Sequence, residues 1–152
     1  MSNLILVAPT RGQIRGPSVF LAGGITNSPR WQDEAVAYFE RTIGGITVCN
    51  PRRPQDFADD AVEYERQVTW ELDHLLAADL ALFWFPAAEC RITRIELGLV
   101  AGSGRPMVVG ADPRFVSRRY LDLLMRRLNM PLYEHLEDLF DAARAWLAPH
   151  VA

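Results

Sequence analysis

The chain has 152 residues, of which 49% are hydrophobic and 23% charged, with a formal net charge of −3. These values are typical of one soluble globular domain that is long enough to bury a core. All 16 basic residues are arginine, which excludes lysine Schiff-base and P-loop lysine chemistry. Because no run of like charge is longer than a pair, we expect no nucleic acid polymer as a partner.

Membrane and metal sites have no support in the sequence. No apolar run approaches the roughly 18 residues that span a bilayer, and the first residues lack the basic segment of a secretory signal. Cys49 and Cys90 have neither metal-ligand spacing nor a secreted context, so reduced thiols are expected. The sequence therefore predicts a cytoplasmic protein with no membrane contact, no metal and no cofactor.

Apolar runs and helical patterns alternate along the chain. After an N-terminal arm at 1–17 with an apolar stretch at 4–7, the predicted strands are SVFLAGG, ITVCN, DLALFWF and RPMVVG. The predicted helices are at about 31–41 and 61–78, in the segment that ends at Gly102, in SRRYLDLLMRRL and in EHLEDLFDAARAWL. Continuous apolar strands between helices indicate a parallel sheet covered on both faces. We predict one α/β domain over 1–152, with a flavodoxin-like, doubly wound, mostly parallel five-stranded sheet.

Ligands of doubly wound folds bind outside the carboxyl ends of the strands. The glycines of this edge can admit a ligand close to the backbone, the arginines can hold a phosphate, and the aromatic faces can stack on a base. Each feature also has a structural interpretation: a tight turn, a solvated loop and core packing. The candidate residues are Gly23, Gly24, Arg52, Arg53, Trp84 and Phe85.

Two predicted helices each carry a carboxylate at the edge of an apolar stripe. The stripe with Glu96 comprises Ile92, Ile95, Leu99 and Val100, and the stripe with Glu71 comprises Val68, Leu72, Leu75 and Leu76. Paired carboxylates in apolar surroundings suit glycosyl chemistry. The alternatives are a capping box for Glu96, in Thr93-Arg94-Ile95-Glu96, and either solvent exposure or a salt bridge to an arginine for Glu71.

The run WELDHLLAADLALFWFPAAECRITRIELGLVAGSGRPMVVG, residues 70–110, resembles the nucleoside 2-deoxyribosyltransferase superfamily, in particular its short bacterial deoxyribosyltransferase-like branch. FLAGGIT and NPRRP resemble the same branch, and the likeness covers about residues 18–120. The resemblance implies a flavodoxin-like fold and cleavage of the N-glycosidic bond of deoxynucleosides through a covalent glycosyl-glutamate intermediate.

By this resemblance the nucleophile is Glu96, and the second acidic residue is Glu71, or Asp73 if the register slips. Only Glu89 can replace the aspartate that the transferases carry shortly before the nucleophile. The resemblance also implies a small-molecule nucleoside or nucleotide substrate and a homo-oligomer, because relatives share active sites across subunits. The alternative functions are a nucleoside monophosphate or NAD N-glycosidase, and a non-catalytic nucleotide-binding module on the same fold.

Overall fold

The computed structural model describes residues 1–57 and 60–152. Its strands are β1 (Leu4–Val7), β2 (Ser18–Gly23), β3 (Thr47–Asn50), β4 (Leu80–Phe85), β5 (Met107–Ala111) and β6 (Leu132–Tyr133). Its α-helices are α1 (Trp31–Thr42), α2 (Ala61–Ala77), α3 (Arg91–Gly102), α4 (Arg118–Arg127) and α5 (Leu136–Leu147), followed by a short 3₁₀ turn at Ala148–His150. None of the helices within these ranges is long and apolar enough to cross a membrane.

The strands form one sheet in the order β1-β3-β2-β4-β5-β6, and all the pairs are parallel. The prediction of a doubly wound α/β sheet is confirmed, but the sheet has six strands instead of five. The additional strand is β6, whose two residues are too short to produce a recognisable apolar run. The apolar stretch of the N-terminal arm forms the edge strand β1, which pairs with β3.

Strands β2 to β6 follow the flavodoxin order, with β3 and β4 on either side of β2. The chain leaves β2 in one direction to reach β3 and then crosses back to reach β4. In this topology the crevice for a ligand opens at the carboxyl ends of β2 and β4, where the direction of winding changes. The loops after Gly23 and Phe85 therefore flank the expected binding region.

Alternate residues of the strands supply two cores. One core packs β2 and β4 against α1 and α5, through side chains such as Leu21, Leu82 and Phe39. The other packs the opposite face against α2, α3 and α4, through side chains such as Phe20 and Leu97. Burial on both faces explains why the central strands are continuous apolar runs rather than alternating ones.

The predicted buried stripes of α2 and α3 are wrong in part. Ile92, Ile95 and Leu99 are 52%, 69% and 40% exposed, while Glu96 and Val100 are buried. Helix α3 has apolar residues on more than one side, so the spacing of these residues alone did not identify the side that faces the sheet. On α2 the same ambiguity left Leu72 and Leu76 exposed, whereas Leu75 is buried as predicted.

Candidate active site

Glu96 is a buried carboxylate on the sheet-facing side of α3, with only 6% of its surface exposed. The helix begins at Arg91, and its N-cap residue is Cys90, which has a left-handed backbone with φ 50. Thr93 is therefore inside the first turn and is not the N-cap. The capping-box interpretation of Glu96 is wrong, because it requires Thr93 at the N-cap position. A helix cap does not account for this buried carboxylate.

Glu71 is the partly buried counterpart of Glu96 on α2, and both helices cover the same face of the sheet. The pKa of Glu71 is raised to about 7, because burial raises it by more than the Gln67 amide and the Arg53 charge lower it. The pKa of Glu96 is raised to about 8 by burial and, to a smaller extent, by the negative charge of Glu71. Two such groups titrate as a pair, so near neutral pH they tend to hold one proton between them.

The burial of Glu96 makes the stability of the fold depend on pH. Its folded-state pKa of about 8 lies above the ordinary value of 4.5, so the folded state binds the proton more tightly than the unfolded chain. This contribution to stability is complete below about pH 4.5 and is lost as pH rises towards 8. We expect Glu96→Gln to remove this decline. The free energy of unfolding of the variant, relative to that of wild type, should be higher at pH 9 than at pH 5 by on the order of 3–5 kcal/mol.

Urea unfolding of wild type and Glu96→Gln at pH 5 and pH 9 measures this effect. Glu89→Gln is the matched control, since the side chain of Glu89 is exposed to solvent. If the free energy of unfolding changed equally with pH in wild type and Glu96→Gln, Glu96 would ionise as easily in the folded protein as in the unfolded chain.

Gly23 and Gly24, at the end of β2, lie so close to neighbouring side chains and backbone that a Cβ would not fit at either position. A Cβ at Gly23 would collide with the Trp31 ring and the Trp84 carbonyl, and a Cβ at Gly24 would lie 2.7 Å from both Pro86 Cγ and Ser28 Oγ. The two glycines thus allow the loops after β2 and β4 to meet. Their contact with a substrate stays a prediction.

Arg52 holds the loop that follows Gly24. Its guanidinium donates hydrogen bonds to the carbonyl oxygens of three loop residues and to the side chain of Gln32, at 2.7–3.0 Å. The three carbonyl acceptors are those of Ile25, Ser28 and Pro29. Because these acceptors occupy the guanidinium, the structure gives Arg52 a role in shaping the wall of the crevice.

Four other candidates have clear protein partners. Asp73 is exposed and pairs with Arg11 at 2.8 Å, and Glu89 is exposed and lies 3.9 Å from Arg94. Trp84 packs in the core beneath α1 and α5, whereas Phe85 packs on the opposite face, with its ring centroid 4.9 Å from that of Phe115. The last two therefore contribute to the cores, and a substrate contact for any of the four stays a prediction.

The structure adds one residue that the sequence analysis missed. Gln67 is buried, and it lies one helical turn before Glu71 on the same face of α2. Its Oε1 accepts a hydrogen bond from Arg53 Nε at 2.8 Å, and its Nε2 donates to the Pro51 carbonyl at 2.8 Å. The four-residue spacing of Glu63, Gln67 and Glu71 was the available signal, since such residues share a helix face.

Two cavities lie away from the carboxylate pair, at the amino ends of the strands. One, of about 490 Å³, is lined by residues 1–3 and 40–44. The other, of about 630 Å³, is lined in part by Asp79, Arg105 and His150. Within residues 1–57 and 60–152, no group of three or more His, Cys, Asp or Glu residues is arranged to hold a metal ion. The pair of glutamates is therefore the strongest chemical feature in the described part of the chain.

Comparison with known proteins identifies the family. A family model described as nucleoside 2-deoxyribosyltransferase like matches residues 16–115, which include β2 to β5 and both glutamates. No curated protein matches the chain. The matched segment contains most of the chain and agrees with the likeness found in the sequence. The chain therefore belongs to the nucleoside 2-deoxyribosyltransferase-like family.

Proposed function

We propose that the protein cleaves or transfers at the N-glycosidic bond of a deoxynucleoside, nucleoside or nucleotide through a covalent glycosyl-glutamate intermediate. The observation that carries the proposal is the burial of Glu96 beside Glu71 on two neighbouring helices of the family segment. A buried carboxylate without a cationic partner is costly, and such groups concentrate at functional sites.

The reaction has two displacement steps. In the first, a Glu96 carboxylate oxygen forms a bond to C1′ of the sugar while the bond from C1′ to the base nitrogen breaks. Before the attack, the proton that the pair holds passes from Glu96 to Glu71, which leaves Glu96 as the carboxylate. The base leaves with the electron pair and receives this proton from Glu71. In the second step, water or a second base attacks C1′ and gives up a proton to the Glu71 carboxylate, and the bond from C1′ to Glu96 breaks to release the Glu96 carboxylate.

Base release from a substrate panel tests the proposal. Purified protein is incubated with ribonucleosides, deoxynucleosides, their monophosphates and NAD, with and without a second base, and free and exchanged bases are separated by chromatography. Release that needs an acceptor base identifies a transferase, and release into water alone identifies a hydrolase. Saturable binding of a substrate with no release would instead support a non-catalytic nucleotide-binding module.

We also propose that the protein is a homo-oligomer that associates through the outer face of α2, α3 and α4. Among the described residues, the exposed large hydrophobic side chains other than Met1 all lie on or next to these three helices. They are Val62, Tyr64, Leu72, Leu76, Ile92, Ile95, Leu99, Val116, Tyr120, Leu123 and Leu128. An apolar surface confined to one face is typical of an interface, and family resemblance favours a second copy as the partner.

Replacing Ile95 with arginine is expected to dissociate the oligomer. Ile95 is 69% exposed at the centre of α3, so a cation there would be buried without a partner in an interface. Sedimentation velocity of wild type should show a species larger than the monomer, and Ile95→Arg should sediment as a monomer. Ala37→Arg makes the same charge change on an exposed position of α1 and should leave sedimentation unchanged. A monomeric wild type would refute this interface.

A further inference from the structure

The two consecutive arginines after β3 have different surroundings. Arg52 binds the loop at 25–29, whereas Arg53 turns towards α2, where its side chain is only 12% exposed. Arg53 Nη1 lies 2.8 Å from Glu63 Oε2, and its Nε donates to Gln67 Oε1 at 2.8 Å. The guanidinium also lies over the Phe57 ring, 4.3 Å from the centroid. Arg53 is therefore held in one orientation against α2.

The face of α2 that Arg53 contacts continues directly to Glu71. Glu63, Gln67 and Glu71 succeed one another at four-residue intervals, so their side chains form a row along the helix. Arg53 binds the first two members of the row, and Glu71 is the third. Nη2 of Arg53 is buried and has no hydrogen-bond partner among the described residues. A buried guanidinium that is only partly paired retains a positive potential for its neighbours.

We propose that Arg53 is a positioning residue for the glycosyl reaction, which fixes Gln67 next to Glu71 and supplies a buried cation on the same face of α2. This cation favours one proton over two on the Glu71 and Glu96 pair near neutral pH. This inference rests on the proposed function. With two protons the pair would contain no carboxylate to attack C1′, and with none it would have no proton for the leaving base. Arg53 therefore sets the lower end of the pH range in which the pair can both attack C1′ and protonate the leaving base.

The groups around Glu71 are consistent with this role. Arg53 acts on it from the β3–α2 connection, Gln67 acts from α2 itself, and Glu96 faces it from α3. The sheet beneath α2 and α3 contributes apolar side chains, including Phe20 and Phe83. Arg53 is thus the cation that lowers the pKa of Glu71, against the burial that raises it. Removing this cation should make the first deprotonation of the pair more difficult.

Carboxyl ¹³C NMR titration of glutamate-labelled protein tests the inference without a substrate, with resonances assigned through Glu71→Gln and Glu96→Gln. In Arg53→Gln, the lower titration midpoint of the pair should rise by about one pH unit. Arg53→Lys retains the cation and should show a smaller rise. Glu63→Gln removes the counter-ion of Arg53 and should lower the midpoint. Arg41→Gln, which removes an exposed cation from α1 on the opposite face of the sheet, should leave it unchanged.

The pH dependence of kcat/KM provides the second measurement. Its acidic limb should move with the titration midpoint, upwards in Arg53→Gln and downwards in Glu63→Gln. If the wild type releases no base but the midpoints shift as stated, the proposed function fails and the electrostatic role of Arg53 stands. Midpoints that are the same in wild type and Arg53→Gln would overturn the inference. If Arg53→Gln does not fold by circular dichroism, an unchanged or raised midpoint in Glu63→Gln would overturn it instead.

Discussion

Replacing Glu96 with alanine is expected to lower base release at least about a thousandfold, because the variant has no group that can form the bond to C1′. Glu96→Gln should show a similar loss with a nearly unchanged side-chain shape. Helix α3 contains no carboxylate other than Glu96, so no side chain on that helix can take its place. The measurement is initial rates of base release on the best substrate of the panel, beside circular dichroism to verify folding.

Glu89→Gln is the matched control for Glu96. Glu89 lies in the loop just before α3, is exposed and pairs with Arg94, so its replacement should change the rate much less. Full turnover by Glu96→Gln would eliminate Glu96 as the nucleophile. A loss in Glu89→Gln as large as that in Glu96→Gln would assign the chemistry to the loop instead.

Glu71→Gln is expected to reduce kcat/KM by about a hundredfold on substrates whose leaving base must be protonated, which is typical of the loss of a general acid. The basic limb of the pH profile should disappear, because the variant has no Glu71 proton to lose as the pH rises. The acidic limb should stay, because Glu71 is neutral in the doubly protonated pair and its negative charge does not affect the first ionisation of Glu96. The pH dependence of kcat/KM in both proteins measures the two effects together.

A substrate with a permanently cationic base separates the two roles of Glu71. An N7-methylated purine deoxynucleoside releases its base without a proton, so the loss in Glu71→Gln should be much smaller on this substrate than on the unmethylated one. The exposed Glu65→Gln on the same helix is the control and should resemble wild type. Equal losses on both substrates, with a basic limb that persists in Glu71→Gln, would exclude Glu71 as the proton donor.

The sequence was sufficient for the central strands and for the prediction that Glu96 lies on a buried side of α3. Runs such as DLALFWF are buried on both faces, so their continuous apolar character predicts a parallel strand directly. The arrangement of α3 was harder to predict, because Ile92 and Ile95 have the same period as the buried Leu97 and Val100. Strand β6 was missed because it has two residues.

The electrostatic surroundings of the site depend on the path of the chain, which local patterns do not encode. Arg52 and Arg53 are equivalent in the sequence, yet one binds the loop after β2 and the other binds α2. Their roles are determined by the turn after Asn50, which directs consecutive side chains to different elements. Gln67 was overlooked because a glutamine on a helix has no chemical signal until its neighbours are known.

Trapping the covalent intermediate tests the central claim most directly. Wild-type protein is mixed with a deoxynucleoside that the panel identifies as a substrate, quenched in acid within the first turnover and digested for peptide mass spectrometry. We expect one deoxyribosyl group on the peptide that contains Glu96, attached to that side chain, and no adduct in Glu96→Ala. A wild-type protein that releases base while every peptide stays unmodified, or that carries the sugar on another residue, would contradict it.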